Sequence, residues 1–337
     1  MKKTIVTGGA GFIGSHTCVE LLAAGIEPVI VDDLRNSDER VLRGLEQITG
    51  RRLGIHRIDC TDAEELQEVF VVEQPDSVIH FAADKAVGES VRNPLKYYHN
   101  NIGSLVTLLR VMARNKVKDL VFSSSCTVYG EGDRLPVTED SPTGAAASPY
   151  GYTKVVCEQL LRDAAIADPA LRVVMLRYFN PVGAHPSAHI GELPIGVPNN
   201  LVPFITQAAA GLRDKLTVFG NDYPTRDGSC IRDYIHVVDL AKAHVLALQW
   251  SAKQQAPLCE VFNLGTGQGN TVLEAVHTFE EVNGVKVPWA IGPRRAGDVM
   301  AMYADTSKSL RLLGWRTELG LADALRDAWR WQLALVK

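Results

Sequence analysis

A doubly wound parallel α/β sheet with a smaller C-terminal lobe is the fold that this 337-residue sequence predicts. Three observations predict it. In the first half, short apolar, β-branched runs alternate with helix-like stretches, the pattern of a parallel sheet covered on both faces. A glycine triplet stands directly between the first such run and the first helical stretch. After about residue 180 the loops lengthen and fill with Pro, Gly and Asn.

Taken in order, the strand-like runs are Thr4–Thr7, Val29–Val31, Ser77–Ala82, Leu120–Ser123 and Val173–Tyr178. Between them, 3.6-residue periodicity predicts helices over Ile13–Ala24, Asp62–Val72, Leu95–Arg114 and Pro149–Ala167. Asn180–Asn200 and Gly220–Gly228 read as long loops, and loops of that length in a compact protein usually serve function. Helical periodicity returns at Val237–Trp250, Thr271–Val282 and Leu321–Val336. The expectation is a sheet domain over residues 1–180, with a segment near 235–265 returning to it, and a second lobe made mainly of 181–337.

The chain is 46% hydrophobic and 22% charged, so it can bury an ordinary core. A net charge of −4 supplies no basic field for nucleic acid or anionic lipid, so any bound anion must be held by local groups. No run approaches the ~20 apolar residues of a membrane span, and Ile5-Val6 is too short for a signal-peptide core. The six cysteines are scattered without a C-x-x-C pair, which fits reduced thiols in a cytoplasmic protein. His185 and His189 are four apart, but Pro186 argues against a helix there and no third ligand is evident; no metal site is expected.

The triplet is Gly8, Gly11 and Gly14, a G-x-x-G-x-x-G spacing at the start of a helix. Glycines there permit a tight turn and let backbone approach a pyrophosphate, which rests on the N–H groups and positive dipole of the helix. About 18 residues on, the second strand ends in Asp32-Asp33. A carboxylate at that point accepts hydrogen bonds from a ribose diol and repels a 2′-phosphate, so the reading is a Rossmann domain for NAD rather than NADP. Asp32 is the ribose acid; Asp33 is expected to be solvated or to cap the next segment.

Ser148-Pro149 reads as N-cap and first helical residue, placing Tyr150 and Lys154 four apart on one helix face. A tyrosine of ordinary pKa near 10 is a poor base at neutral pH, and an ammonium within about 4–6 Å favours its phenolate. Upstream, a strand runs into Ser125, whose hydroxyl can bridge a substrate hydroxyl and that phenolate. Ser125, Tyr150 and Lys154 are therefore the candidate catalytic residues. Tyr152 lacks a lysine at the same spacing and is assigned to packing or surface. Gly265–Gly269 lacks the following Lys-Ser/Thr of a phosphate loop and reads as a strand-to-helix turn.

Together with TGGAGFIGSH at Thr7–His16, HFAADKAVGES at His80–Ser90, SSSCTVYG at Ser123–Gly130 and SPYGYTK at Ser148–Lys154, later segments extend a pattern. They are RYFNPVGAHPS at Arg177–Ser187, PNNLVPFI at Pro198–Ile205, FGNDYPTRDGSCIRDYIH at Phe219–His236 and RRAGD at Arg294–Asp298. On these residues the chain resembles the extended short-chain dehydrogenase/reductases, and within them the UDP-galactose 4-epimerase family, over almost its whole length. The resemblance implies reversible 4-epimerisation of UDP-galactose and UDP-glucose through a transient 4-keto sugar, with tightly bound NAD and a homodimer. It implies NAD contacts from Gly8, Gly11, Phe12, Ile13, Gly14, Asp32, Asp59, Cys60, Phe81, Ala82, Ala83, Lys85, Asn100, Ser125, Tyr150, Lys154 and Tyr178. For the UDP-sugar it implies Ser125, Tyr150, Asn180, Asn200, Leu201, Thr217, Phe219, Arg232, Tyr234, Arg295, Asp298 and Met302. Arg232 and Arg295 suit a diphosphate by charge-assisted bonds, and Phe219 suits a uracil face.

Two positions depart from the pattern. Asp84 adds an acid beside Lys85 and is expected to point to solvent. Met302 stands where hexose-restricted relatives carry Tyr and N-acetyl-accepting ones a small residue; methionine is intermediate and flexible, which leaves UDP-N-acetylhexosamines as an alternative substrate. A nucleotide-sugar dehydrogenase or dehydratase is a further alternative, although a dehydratase needs an acid/base pair where this chain has Cys126-Thr127. A non-catalytic NAD-binding partner protein would conflict with an intact Ser125, Tyr150 and Lys154.

Overall fold

The computed structural model describes residues 2–132, 134–295 and 298–336. Its main sheet has seven strands: Lys3–Thr7 (β1), Glu27–Val31 (β2), Ile55–His56 (β3), Ser77–His80 (β4), Asp119–Ser125 (β5), Arg172–Tyr178 (β6) and Leu258–Leu264 (β7). Their spatial order is β7-β6-β5-β4-β1-β2-β3. β1 pairs in parallel with both β2 and β4. Between β1 and β4 the chain order reverses, and sheets of this kind hold ligands at that switch, beyond the carboxyl ends of the strands. Adjacent residues of a strand point to opposite faces. Ile5 and Val6 are both fully buried, as are Val78 and Ile79, so both faces of the sheet are covered.

The chain divides into two compact units, one of Met1–Gly130, Pro142–Arg177 and Ala241–Phe262, the other of Glu131–Ser141, Tyr178–Leu240 and Asn263–Lys337. The core of the first gathers Ile5, Leu66, Val78, Leu105, Leu120, Leu161 and Val173. The second is built on Ile205, Val218, Val276, Phe279 and Leu325. Among the described residues no helix is long and apolar enough to cross a membrane.

Local chemistry sets the helix ends. Asp62 caps Ala63–Glu73 by accepting from the Glu64 and Glu65 amides, and Ser148 caps Pro149–Ala167 by accepting from Gly151 N at 3.2 Å, with Pro149 in the first turn. Thr271 and Glu274 form a reciprocal capping box at the start of Val272–Asn283.

Three differences from the periodicity reading have physical causes. Leu95–Arg114 is not one helix: Pro94–Tyr97 and Gly103–Arg114 are joined by a π turn over Tyr98–Ile102. The widened turn buries Asn100 and Asn101 and gives the Asn101 amide its partners, described below. Asn180–Val182, at the start of the expected loop, is a strand parallel to Tyr234–His236. Arg40–Thr49, unassigned from sequence, is a helix that buries Val41, Gly44 and Leu45, with Leu42 and Ile48 half-buried.

Candidate active site

At the end of β1 the backbone turns through Gly8, which has φ +69°. A Cβ on Gly8 would lie 2.9 Å from Ala82 N, and one on Gly14 would lie 2.2 Å from Gly8 O. No side chain could be added at either place without moving backbone. Gly11 N–H donates to Gly8 O at 3.0 Å. The helix Phe12–Ala23 starts at Gly11 with no side-chain cap. Its first N–H groups and dipole are thus presented to an anion. Asp32 follows β2 and is 8% exposed. Its carboxylate accepts from Ala10 N (3.0 Å), Leu34 N (2.9 Å) and Ser37 Oγ (2.7 Å), tying the acid to the glycine turn. Asp33 caps its own turn through Arg35 N and pairs with Arg35 Nε at 3.0 Å. Arg35 also reaches Asp59, at 3.5 Å, and donates to Asn100 Oδ1. Burial, foremost, pushes the neighbouring Cys60 thiol up to about 12.

Beyond β4, Phe81 N–H donates to Thr7 O at 3.0 Å and the Phe81 ring packs on His244 at 4.7 Å between centroids. Ala82, Ala83 and Lys85 continue this segment. Asp84 corrects the expectation of a solvent-facing acid, because it is only 2% exposed. Asn101, turned inward by the π turn, accepts from Asp84 N at 2.8 Å and donates to Asp84 O at 3.0 Å. Asn36 Nδ2 donates to Asp84 Oδ1 at 3.2 Å. Lys96 Nζ lies 3.7 Å from that same oxygen. One carboxylate oxygen is thus held by an amide and a cation, while the buried Oδ2 has no hydrogen-bond partner among the described residues.

Ser125 ends β5. Thr127 donates to Ser125 Oγ twice, from N at 3.2 Å and from Oγ1 at 3.0 Å, and Ser125 stands beside the Tyr150 phenol, where it favours the ionised form. Thr127 and Asn101 were not legible as functional residues, since their partners lie in the tertiary structure. Lys154 is 3% exposed, donates to Ser123 O at 2.7 Å and sits 4.9 Å above the Phe122 ring. Burial draws its ammonium down to about 8, with Cys157 and Glu158 acting the other way. Burial also pushes the Tyr150 phenol up to about 12, with the Ser125 bond pulling the other way. The expected lowering of Tyr150 by Lys154 is therefore not a property of the protein alone: the ammonium is directed to a main-chain carbonyl and desolvation dominates. Every expected NAD residue but Tyr178 belongs to the first unit, along the carboxyl edge of β1–β5 or on the helix and turn facing it; Tyr178 ends β6.

The expected sugar-nucleotide set other than Ser125 and Tyr150 belongs to the second unit. Asn180 opens the strand Asn180–Val182, and its N–H donates to Asp233 O at 2.9 Å. Asn200 stands at the start of the helix Leu201–Ala209, and its amide donates to Glu192 Oε1 at 2.6 Å. Thr217 and Phe219 lie on Leu216–Phe219, paired with Trp289–Gly292. The Arg295 guanidinium covers the Phe219 ring at 4.5 Å. Arg232 pairs with Asp298 at 3.3 Å and is the register partner of Met302, itself 3% exposed. Tyr234 is buried, and its hydroxyl has no hydrogen-bond partner among the described residues. Asp233, between these two, accepts from Thr266 N and Oγ1, Gly267 N and Ala304 N at 2.6–3.2 Å. That explains the Gly265–Gly269 turn as a carboxylate-held loop. Of the Arg294–Asp298 motif, residues 296 and 297 lie outside the described residues.

Comparison with known proteins follows the same lines. The UDP-glucose 4-epimerase of Bacillus subtilis is 52% identical over 328 residues, covering 97% of this chain and 96% of its own. The structure of the Stenotrophomonas maltophila UDP-glucose 4-epimerase with bound NAD and formylated UDP-arabinopyranose superposes with a TM-score of 0.97 at 50% identity, over 100% of this chain and 99% of that one. That of Bifidobacterium longum, in complex with NAD+ and UDP, gives 0.95 at 47% identity over 99% and 98%. Residues 4–265 match the NAD dependent epimerase/dehydratase family, and the chain belongs to it.

Proposed function

We infer that this protein interconverts UDP-galactose and UDP-glucose by 4-epimerisation, through a transient 4-keto sugar and with NAD retained between turnovers. The observation that carries the reading is Ser125, held by two bonds from Thr127, beside the Tyr150 phenol, with Lys154 one turn on. Full-length likeness to UDP-glucose 4-epimerases, at 50% and 52% identity, supports it. The residues present fit a dinucleotide: a Cβ at Gly8 or Gly14 would collide with backbone, the first helix is uncapped, and Asp32 stands at the end of β2. When bound, NAD supplies a hydride acceptor that gives the hydride back.

This chain's own groups do the rest. Gly8, Gly11, Phe12, Ile13 and Gly14 hold the pyrophosphate; Asp32 holds the adenosine ribose, and Asp59, Cys60, Phe81, Ala82, Ala83, Lys85, Asn100 and Tyr178 are the further residues assigned to the dinucleotide. Ser125 passes the proton of the sugar 4-hydroxyl to Tyr150, whose phenolate form is favoured by the Lys154 ammonium once the site is filled. Arg232 and Arg295 anchor the diphosphate, with Asn180, Asn200, Leu201, Thr217, Phe219, Tyr234, Asp298 and Met302 around the nucleotide and sugar. A dehydratase is disfavoured because Thr127, in the place of its acid/base pair, is committed to Ser125.

The assembly proposed is a cytoplasmic homodimer. Its support is an exposed apolar set on helices that pack together in the first unit: Val87, Val91 and Leu95, with Tyr152 and Ile166. The cysteines are free thiols.

Proton NMR of the purified protein with UDP-galactose and no added cofactor tests the function. Growth of the UDP-glucose anomeric signal to a fixed ratio, without net NADH, is expected. No conversion after NAD addition would reject this substrate in favour of N-acetylated UDP-sugars.

A further inference from the structure

One turn beyond Lys154, the same helix carries Glu158, which is 1% exposed. Both of its oxygens are claimed twice. Oε1 accepts from Ser124 Oγ at 2.6 Å and Arg177 Nε at 2.8 Å; Oε2 accepts from Arg177 Nη2 at 2.6 Å and Arg162 Nη2 at 2.9 Å. Arg177, on β6, is 2% exposed, donates to the Tyr129 hydroxyl at 3.0 Å and lies over that ring at 4.9 Å. Tyr129 closes the short turn Cys126–Tyr129 that follows Ser125. One ion pair thus ties β5, β6, that turn and the Lys154 helix.

Stability is a poor reason for such a pair, since a buried ion pair commonly gains no more than well-packed apolar residues of the same volume. What distinguishes this one is where it is anchored. Ser124 precedes Ser125 on β5, and residues four apart share a helix face, so Glu158 and Lys154 lie on the same side.

We propose that Glu158, locked by Arg177, is a positioning residue for the reaction: through Ser124 it pins β5 so that Ser125 meets Tyr150, and its carboxylate is the anion that faces the Lys154 ammonium. The inference rests on the epimerase reading. The groups facing Lys154 are His80 from β4, the Ser123 carbonyl and Phe122 ring from β5, and Cys157 and Glu158 from its own helix, on which Tyr150 stands one turn earlier. Burial, then Lys154, draws His80 down to about 3, and burial pushes Cys157 up to about 11, so both are neutral at working pH. Glu158 is left as the charge opposing the desolvation of Lys154.

Removing it lets the ammonium lose its proton at lower pH. The competent pair is phenolate with ammonium, so the defect must deepen as pH rises from about 6 to about 9. The double variant Glu158→Gln/Arg177→Met removes both charges and leaves no lone ion in the core. Its kcat relative to wild type should fall about tenfold further at the alkaline end than at the acid end, the equivalent of one pKa unit, with KM changed far less. Glu158→Asp keeps the charge but shortens the reach to Ser124. It should lose kcat by one factor at every pH, and it carries the test if the double variant shows no melting transition. A folded double variant with a pH-independent defect, or a Glu158→Asp enzyme with wild-type kcat, would overturn the proposal. A wild-type protein that does not epimerise would overturn the functional reading itself, and this inference with it.

Discussion

Ser125 shows how hydrogen-bond direction is written into single residues. Its oxygen accepts from both the amide and the hydroxyl of Thr127, so its one proton is free to point at Tyr150. The chain of donors runs toward the phenol and stabilises its ionised form, as the Ser125 contribution at Tyr150 indicates. Tyr150→Phe keeps the ring and removes the oxygen. Turnover in the NMR assay should fall by roughly 10²–10⁴-fold, while the absorbance ratio still reports retained NAD. An enzyme keeping more than a tenth of its rate would sink the assignment. Tyr150 and Lys154 could be found in the sequence because four-residue spacing on a helix fixes their common face. Asp84 could not, because its burial is decided by Asn36 and Asn101, far from it along the chain.

Among the elements, the β1–helix turn is the most constrained. Gly14→Ala puts a methyl carbon 2.2 Å from Gly8 O, and the obstacle is backbone, so the turn itself must open. Most of the cost should appear as cofactor loss: NAD should wash out on gel filtration, and the melting temperature should fall. A variant that keeps both would remove the tight-turn argument for the triplet. Strands β1, β4 and β5 and the long helices were legible because burial imposes continuous apolar runs on strands and 3.6-residue stripes on helices. The π turn at Tyr98–Ile102 was not. Its sequence periodicity is that of a plain helix, and the extra residue is explained only by the Asp84 backbone that Asn101 meets. For the same reason the carboxylate-held turn at Gly265–Gly269 read merely as glycine-rich.

At the level of the whole molecule, the acidic balance and absence of a basic field fit a protein whose ligands are small and locally held. The exposed apolar set on the first unit is the feature that a lone chain does not explain. Sedimentation should give twice the mass of one chain, and Leu95→Glu with Ile166→Glu should return it to one. A wild-type monomer would remove the dimer. The second unit was the least legible part, since its short strands, such as Ile231–Arg232 and Ala301–Met302, are too brief to leave a period and are defined by their partners.

The route of the chain has a consequence for how this protein can be divided. It passes from one unit to the other after Gly130, Ser141, Arg177, Leu240 and Phe262. A gene fragment ending near residue 180 would encode a sheet lacking its outermost strand, β7, and the Val237–Ser251 helix that leads into it. No single cut yields two self-sufficient pieces. On the ribosome, the first unit cannot close its sheet until about half of the second has been synthesised, so the folding of the two overlaps, and neither is an independently transferable cassette.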